Sequence, residues 1–341
     1  VPHWTDWIRH MHDRPLLRDL GEFGLHRRIR EILGAHSPDV WLGLGDDAAV
    51  VRTRSGALVI TTDAMVEGIH FKPEWTSAPD LAYKALASTL SDLAAKCAVP
   101  AYGVITLGLP PDTPVRWTDE FYHTLAELQQ EWGMEVIGGD TVRSPLILVS
   151  ITAFGYQESA QPLSIGGAQA GDRILVTGTL GDAAAGLRIL LGGAAPETWT
   201  PAQAALVRRF RRPTPRLREA LDILRTAVPH SMTDISDGLA RDLVKLCEAS
   251  GTGARIVAAH LPCGDDLRSA CESYLSLAWQ GGEDYELLLT LSPAAAETLL
   301  KSWDPARCAL TDVGVITPAP EGIRVEGGPG EWEEGFDHFR V

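Results

Sequence analysis

Apolar residues recur at helical spacing over residues 23–33, 80–97 and about 114–132, with Gly34 closing the first run, Pro79 opening the second and Pro100 following it closely. These runs predict amphipathic helices. Shorter β-rich runs at 58–66 (LVITTDAMV), 102–109, 134–139 and 146–156 predict strands. Around 157–171 the chain turns to Gln, Ser, Gly and Pro (QESAQPLSIGGAQAG), which predicts a domain boundary. Beyond it the pattern resumes with the strand DRILVTG, the turn TLGDAAAG, a helix ending near Leu191, a loop at 192–201 and a helix that stops at Gly251. Further strands are predicted near 254–258, 284–291 and 310–316, and the basic segment RRFRRPTPRLRE reads as a solvated helix end with a capacity for phosphate attraction. Both halves are therefore α/β mixtures, and the lack of a short repeat argues against a solenoid.

Composition narrows the class. The 341 residues carry 30 Lys and Arg against 45 Asp and Glu, a formal charge of −15, with 45% hydrophobic residues. That apolar fraction excludes disorder as the main theme, and the length suits two domains with cores of their own. The acidic balance argues against a nucleic-acid partner, which needs a basic face. Cys97, Cys247, Cys263, Cys271 and Cys308 form no C-x-x-C pair and read as reduced thiols of a cytoplasmic protein. No apolar run reaches the ~18 residues of a membrane span, and residues 1–20 lack a signal peptide's apolar core, so neither membrane nor export is expected.

Six short motifs gather carboxylates and glycines at the ends of apolar runs: GLGDDA (43–48), TTD (61–63), LSDLA (90–94), GGDT (138–141), DISDG (234–238) and GGEDYE (281–286). Each alone is ordinary turn or cap chemistry. As a set they place Asp47, Asp63, Asp92, Asp140, Asp234 and Asp237 beside glycine, hydroxyl or strand-end positions. If they converge, their like charges call for hard cations, and Mg²⁺ with a nucleotide or other polyphosphate is the natural occupant. Zinc spacings, a P-loop, a protein-kinase motif set and a G-x-S-x-G elbow are all absent from the sequence. Gly43-x-Gly45-x-x-Ala48 imitates a dinucleotide fingerprint but leads into a β-rich segment instead of a helix.

Read in order, GEFGLHRRI, GDDAAV, TTDAMVEGIHF, DLAYKALASTLSDLAAKCAVP, IGGDTVR, AGDRILVTGTLGDAAAGL, RPTPR, DISDGLARDL, SGTGARI, GGEDYEL and GFDHF resemble the thiamine-monophosphate kinase family over roughly residues 21–341. The resemblance implies an α/β (α+β), two-domain PurM-like fold. It implies an N-terminal extension at 1–20, an ATP/Mg-binding domain at 21–157 whose mixed sheet pairs across a homodimer, and a C-terminal α/β domain at 158–341. The implied activity is ATP- and Mg²⁺-dependent in-line phosphoryl transfer to thiamine monophosphate, giving thiamine diphosphate and ADP as the last step of thiamine diphosphate biosynthesis.

Carried over by position, Asp47, Thr62, Asp63, Asp92, Asp140, Asp234 and Asp237 fall on metal ligands for several Mg²⁺ ions, and Thr61 replaces the family's usual Ser. Gly139, Asp140 and Ser236 fall on nucleotide contacts, and His70, Glu283 and an aromatic of GFDHF, Phe336, on the thiamine-phosphate side. No covalent catalytic residue is implied. One departure stands out: Ile165 occupies a position where the family commonly has a phosphate-contacting Arg, and Arg143 is the nearest basic substitute in sequence, with RRFRRPTPR more remote. Competing readings are a related PurM-like ATPase, such as aminoimidazole ribonucleotide synthetase, and a non-catalytic nucleotide or thiamine-phosphate sensor. A selenophosphate synthetase is disfavoured because no reactive Cys precedes the first Gly-Asp motif.

Overall fold

A computed structural model describes residues 15–157 and 162–328. The strands are β1 (Val40–Leu42), β2 (Val50–Val51), β3 (Ala57–Val66), β4 (Val99–Leu109), β5 (Glu135–Arg143), β6 (Leu148–Gln157), β7 (Arg173–Thr177), β8 (Ser231–Ile235), β9 (Thr252–Val257), β10 (Glu286–Leu291), β11 (Leu310–Pro318) and β12 (Ile323–Glu326). They build a four-stranded sheet of order β3-β6-β4-β5, a six-stranded sheet of order β12-β9-β11-β7-β10-β8 and a small β1-β2 pair. Contacts divide the chain into two compact units, one holding Pro100–Tyr156 and the chain up to Thr89, the other Leu90–Val99 and the chain from Gln157.

In the first unit β4 and β5 are parallel. A parallel pair needs a crossover, and the helix Val115–Trp132 supplies it. Its buried positions Val115, Thr118, Phe121, Tyr122, Leu125 and Leu128 recur at three and four residues, and Gly133 ends it in the left-handed conformation (φ 73°). The helix Ala78–Ala95, whose residues up to Thr89 belong to this unit, is buried almost all round, with Leu81, Ala82 and Leu86 at 0–1% exposure. Such burial explains its Ala- and Leu-rich sequence, since a wet face would need charges.

In the second unit β10 (ELLLTL) is wholly buried and sends alternate residues to opposite faces. Leu287, Leu289 and Leu291 join Ala220 and Ile223 of the helix Leu217–Thr226 and Leu299 of the helix Pro293–Ser302. Leu288 joins Leu239, Leu243 and Leu246 of the helix Leu239–Ser250. Helices thus cover both faces of the six-stranded sheet.

Two sequence expectations change. The first helix spans Leu17–Leu33 and contains a non-helical Gly21, so it starts well before Phe23. The segment GGDT is not a turn at a strand end, because β5 continues through Gly138–Thr141 to Arg143, whereas the run 58–66 containing TTD is a strand as expected, within β3. Period-two alternation of burial persists through Thr61–Asp63 in β3, as an extended chain requires.

Candidate active site

The second unit brings three of the six motifs together, LSDLA, DISDG and GGEDYE. Strand β8 delivers Asp234 into the interior, 6% exposed, where the hydroxyl of Ser91 donates to its Oδ2 at 2.7 Å. Burial and then the nearby charge of Asp92 push the Asp234 carboxyl up to about 7. Asp92 therefore stands within electrostatic reach of it, one residue along the same helical turn as Ser91. Lys96 completes the group: burial lowers its pKa, although the charges of Asp234 and Asp92 oppose that shift. LSDLA and DISDG thus meet as a carboxylate pair with a hydroxyl and an ammonium.

The DISDG turn is held by backbone contacts that only glycine permits. Gly238 has φ +101°, and a Cβ there would stand 2.6 Å from the carbonyl oxygen of Gln280. A Cβ on Gly282 would stand 2.7 Å from the Ser236 carbonyl oxygen, which accepts the Glu283 N–H at 2.7 Å. The Tyr285 N–H donates to Ile235 O at 2.9 Å. Glu283 (φ 67°) and Tyr285 (φ 52°) are both left-handed without being glycine, a conformation that costs on the order of 1–3 kcal/mol each. GGEDYE is therefore a strained loop locked onto the DISDG turn, and it sets Glu283, half-buried, beside Ser236. Asp237 is not bare: Lys245 Nζ donates to its Oδ2 at 2.6 Å and to Asp242 Oδ1 at 2.8 Å.

In the first unit, Thr61 and Asp63 share one face of β3 and Thr62 lies on the other, where Thr152 Oγ1 donates to Thr62 Oγ1 at 3.0 Å. Asp63 Oδ1 accepts the Ala64 N–H at 2.8 Å, and Asp140 Oδ1 accepts the Thr141 N–H at 2.8 Å. Gly139 (φ +156°) is required by packing, because a Cβ would fall 2.0 Å from the Ile105 carbonyl oxygen. Arg143 ends β5 opposite Leu109 and is exposed. His70 Nδ1 accepts the Val66 N–H at 3.0 Å, which makes Nε2 the protonated nitrogen of the neutral ring. Asp47 is exposed on a turn anchored by His36: the ring Nε2 accepts the Leu44 N–H at 3.1 Å, and Nδ1 pairs with Glu135 Oε1 at 2.8 Å.

Within the first unit the acidic motifs do not all meet. Strands β3 and β5 are the two outer strands of their sheet, separated by β6 and β4, about 14 Å at the usual strand spacing. Thr61, Thr62 and Asp63 are thus not brought to Asp140 within this unit. Among the described residues no group of three or more His, Cys, Asp and Glu stands close enough to hold a metal ion. Phe336 lies outside the described residues.

The basic segment is also corrected. Arg209 and Arg216 are not a solvated helix end; they close on Glu286, whose side chain is fully buried. Arg216 Nε and Nη2 donate to the two Glu286 oxygens, each at 2.6 Å, Thr177 Oγ1 donates at 2.8 Å, and Arg209 bonds Oε1. Burial opposes the charge on Arg216, but Glu286 raises its pKa overall. Ile165 packs against the core beside Leu239–Ser250, the burial expected of an apolar side chain. Sequence reasoning missed Ser91, Lys96, Lys245, His36 and the Arg209–Glu286–Arg216 clamp. Only the Asp242–Lys245 pair, at i and i+3 on a helix, left a local signal.

Comparison with known proteins closes the assignment. Residues 45–157 match the AIR synthase related protein N-terminal domain, and residues 169–326 its C-terminal domain. The chain is 39% identical over 326 residues to thiamine-monophosphate kinase of Escherichia coli K12, covering 94% of this chain and 98% of that protein. The crystal structure of thiamine-monophosphate kinase from Stenotrophomonas maltophilia superposes with a TM-score of 0.80 at 38% identity, covering 90% and 97% of the two chains. The structure described as AaThiL complexed with AMPPCP and TMP gives 0.75 at 33% identity, covering 96% and 100%. With its paired carboxylates and both matched domains, the chain belongs to the thiamine-monophosphate kinase family of AIR-synthase-related proteins.

Proposed function

We infer that this protein transfers the γ-phosphoryl group of ATP to thiamine monophosphate, giving thiamine diphosphate and ADP. The observation that carries the reading is the buried Asp234 set against Asp92 and Ser91, in a chain alignable with characterised kinases almost from end to end. Two carboxylates and a hydroxyl are hard oxygen donors, and Mg²⁺ typically takes one or two carboxylates together with substrate phosphates instead of a complete protein cage. The donor set at Asp92 and Asp234 therefore fits Mg²⁺ without a cluster of three. We assign Asp47, Thr61, Thr62, Asp63, Asp140 and Asp237 as the remaining ligands of several ions, in keeping with their positions in the family motifs. Bound Mg²⁺ would supply neutralisation of phosphoryl oxygens.

The acceptor is a phosphate monoester whose second pKa is about 6, so its oxygen is largely anionic at neutral pH and needs no dedicated base. What the residues must do is hold two polyanions in line. Gly139, Asp140, Ser236 and Arg143 take the nucleotide side. His70, with its donor at Nε2, binds the acceptor phosphate; Glu283 meets the cationic thiazolium or the aminopyrimidine, and Phe336 offers a ring for stacking. The strain at Glu283 and Tyr285 is consistent with a loop kept in place for that contact.

Two further assignments belong to this reading. The exposed apolar stripe of β3 supports a homodimer, and five free cysteines support a cytoplasmic location. No described helix is long and apolar enough to cross a membrane.

The test is incubation with ATP, Mg²⁺ and thiamine monophosphate, with thiamine diphosphate followed by fluorescence after oxidation. ADP formed only with other acceptors would reject the assignment. With a chiral thiophosphate donor, inversion at phosphorus is expected, and retention would mean a phosphoenzyme.

A further inference from the structure

We propose that Lys245 is an internal counter-cation that occupies Asp237 when no divalent ion is bound and competes with the ion for that carboxylate. The inference rests on the assignment of Asp237 as a cation ligand. The helix Leu239–Ser250 carries both Asp242 and Lys245. Asp242 is a fixed point: its side chain is 3% exposed, and its Oδ2 accepts the Asp237 N–H at 3.0 Å. Lys245 reaches from its own turn of that helix to Asp242 Oδ1 at 2.8 Å and on to Asp237 Oδ2 at 2.6 Å. One ammonium thus bridges a buried carboxylate and a partly exposed one.

Asp237 is one-third exposed and Lys245 nearly half exposed, so the contact lies where water and ions reach it. An ordinary surface ion pair joins two long, mobile chains and does little. Here one partner is a short Asp in a turn whose backbone is locked by Gly238 and Gly282 against neighbouring carbonyls. A cation approaching Asp237 Oδ2 meets the ammonium at hydrogen-bonding distance, and a single carboxylate oxygen cannot serve both at full strength. The flexible lysine stem can swing to solvent, whereas the turn cannot follow it. Lys245 therefore keeps the acidic turn assembled before substrate arrives, at the expense of cation affinity.

The experiment titrates Mn²⁺ into the metal-free full-length protein and counts free Mn²⁺ by its electron paramagnetic resonance signal. Lys245→Met removes the charge while keeping an unbranched stem. It should bind Mn²⁺ about thirty-fold more tightly, the order expected for deleting a unit charge about 4 Å from a divalent ion in a watery dielectric. Lys245→Arg, which keeps the charge, should bind no tighter than the parent, and Asp237→Asn should bind more weakly. Unchanged affinity in Lys245→Met, with weakened binding in Asp237→Asn, overturns the competition alone. Unchanged affinity in Asp237→Asn removes Asp237 from the ligand set and the inference with it, while the kinase assay still decides the proposed reaction.

Discussion

Glu286 shows how much of this molecule turns on single buried charges. Its carboxylate is completely enclosed and faces two guanidinium groups, Arg209 at 17% and Arg216 at 12% side-chain exposure. Such a group contributes little net stability over an apolar replacement of the same volume, yet removing one member leaves the others charged and desolvated. Glu286→Gln keeps the shape but deletes the carboxylate shared by both arginines. It should lower the unfolding free energy by about 3–5 kcal/mol, read from urea denaturation of the purified variant. A loss below about 1 kcal/mol would mean that water or another acidic group reaches the arginines. The clamp ties the segment before the helix Leu217–Thr226 to the start of β10, directly behind the Glu283 loop. A fault there should reach the Glu283 loop, the proposed substrate contact, through the backbone.

At the scale of elements, β5 carries the sharpest steric demand. It pairs in parallel with β4, with a register shift between Gly103 and Val104, and places Asp140 opposite Thr106. Gly139 lets the two backbones approach, and the atom a Cβ would strike is a carbonyl oxygen that cannot rotate away. Gly139→Ala should therefore push β5 off β4 at Asp140 and abolish most of the activity, with a fall in melting temperature. Full activity in this variant would show that β5 can shift without moving Asp140 out of use.

This strand also marks what was legible beforehand. The helix Val115–Trp132 could be read from its 3.6-residue pattern, and β10 from four apolar residues in ELLLTL. GGDT was misread as a turn because glycine next to Asp is usual turn chemistry, and one sequence does not reveal that a neighbouring carbonyl demands the glycine. The site was legible as a set of acidic motifs. Its contacts were not, because they are long-range: Ser91 lies 143 residues from Asp234 and His36 lies 99 from Glu135. Arg209 and Arg216 looked solvated for the same reason, since their partner stands 77 and 70 residues on.

For the whole molecule, β3 is the element that bears on assembly. It is an outer strand of its sheet, so one edge of its backbone has no neighbour in that sheet, and its outward face presents Leu58 and Ile60 at 51% and 58% exposure, followed by Thr62 and Ala64. A stripe of this kind on an edge strand invites pairing with another chain, and monomers usually blunt it with charge or proline. Here it carries neither until Asp63, on the opposite face. A second copy presenting the same strand by two-fold symmetry would cover both stripes at once. Ile60→Lys puts a charge into the middle of the stripe at a position already facing solvent, so the isolated fold should keep its melting temperature. Multi-angle light scattering after size exclusion should then give the mass of one chain for Ile60→Lys and of two for the parent. A parent protein that runs as one chain at micromolar concentration would exclude this face as a self-interface. Ile60→Lys that stays dimeric would place the contact on another surface.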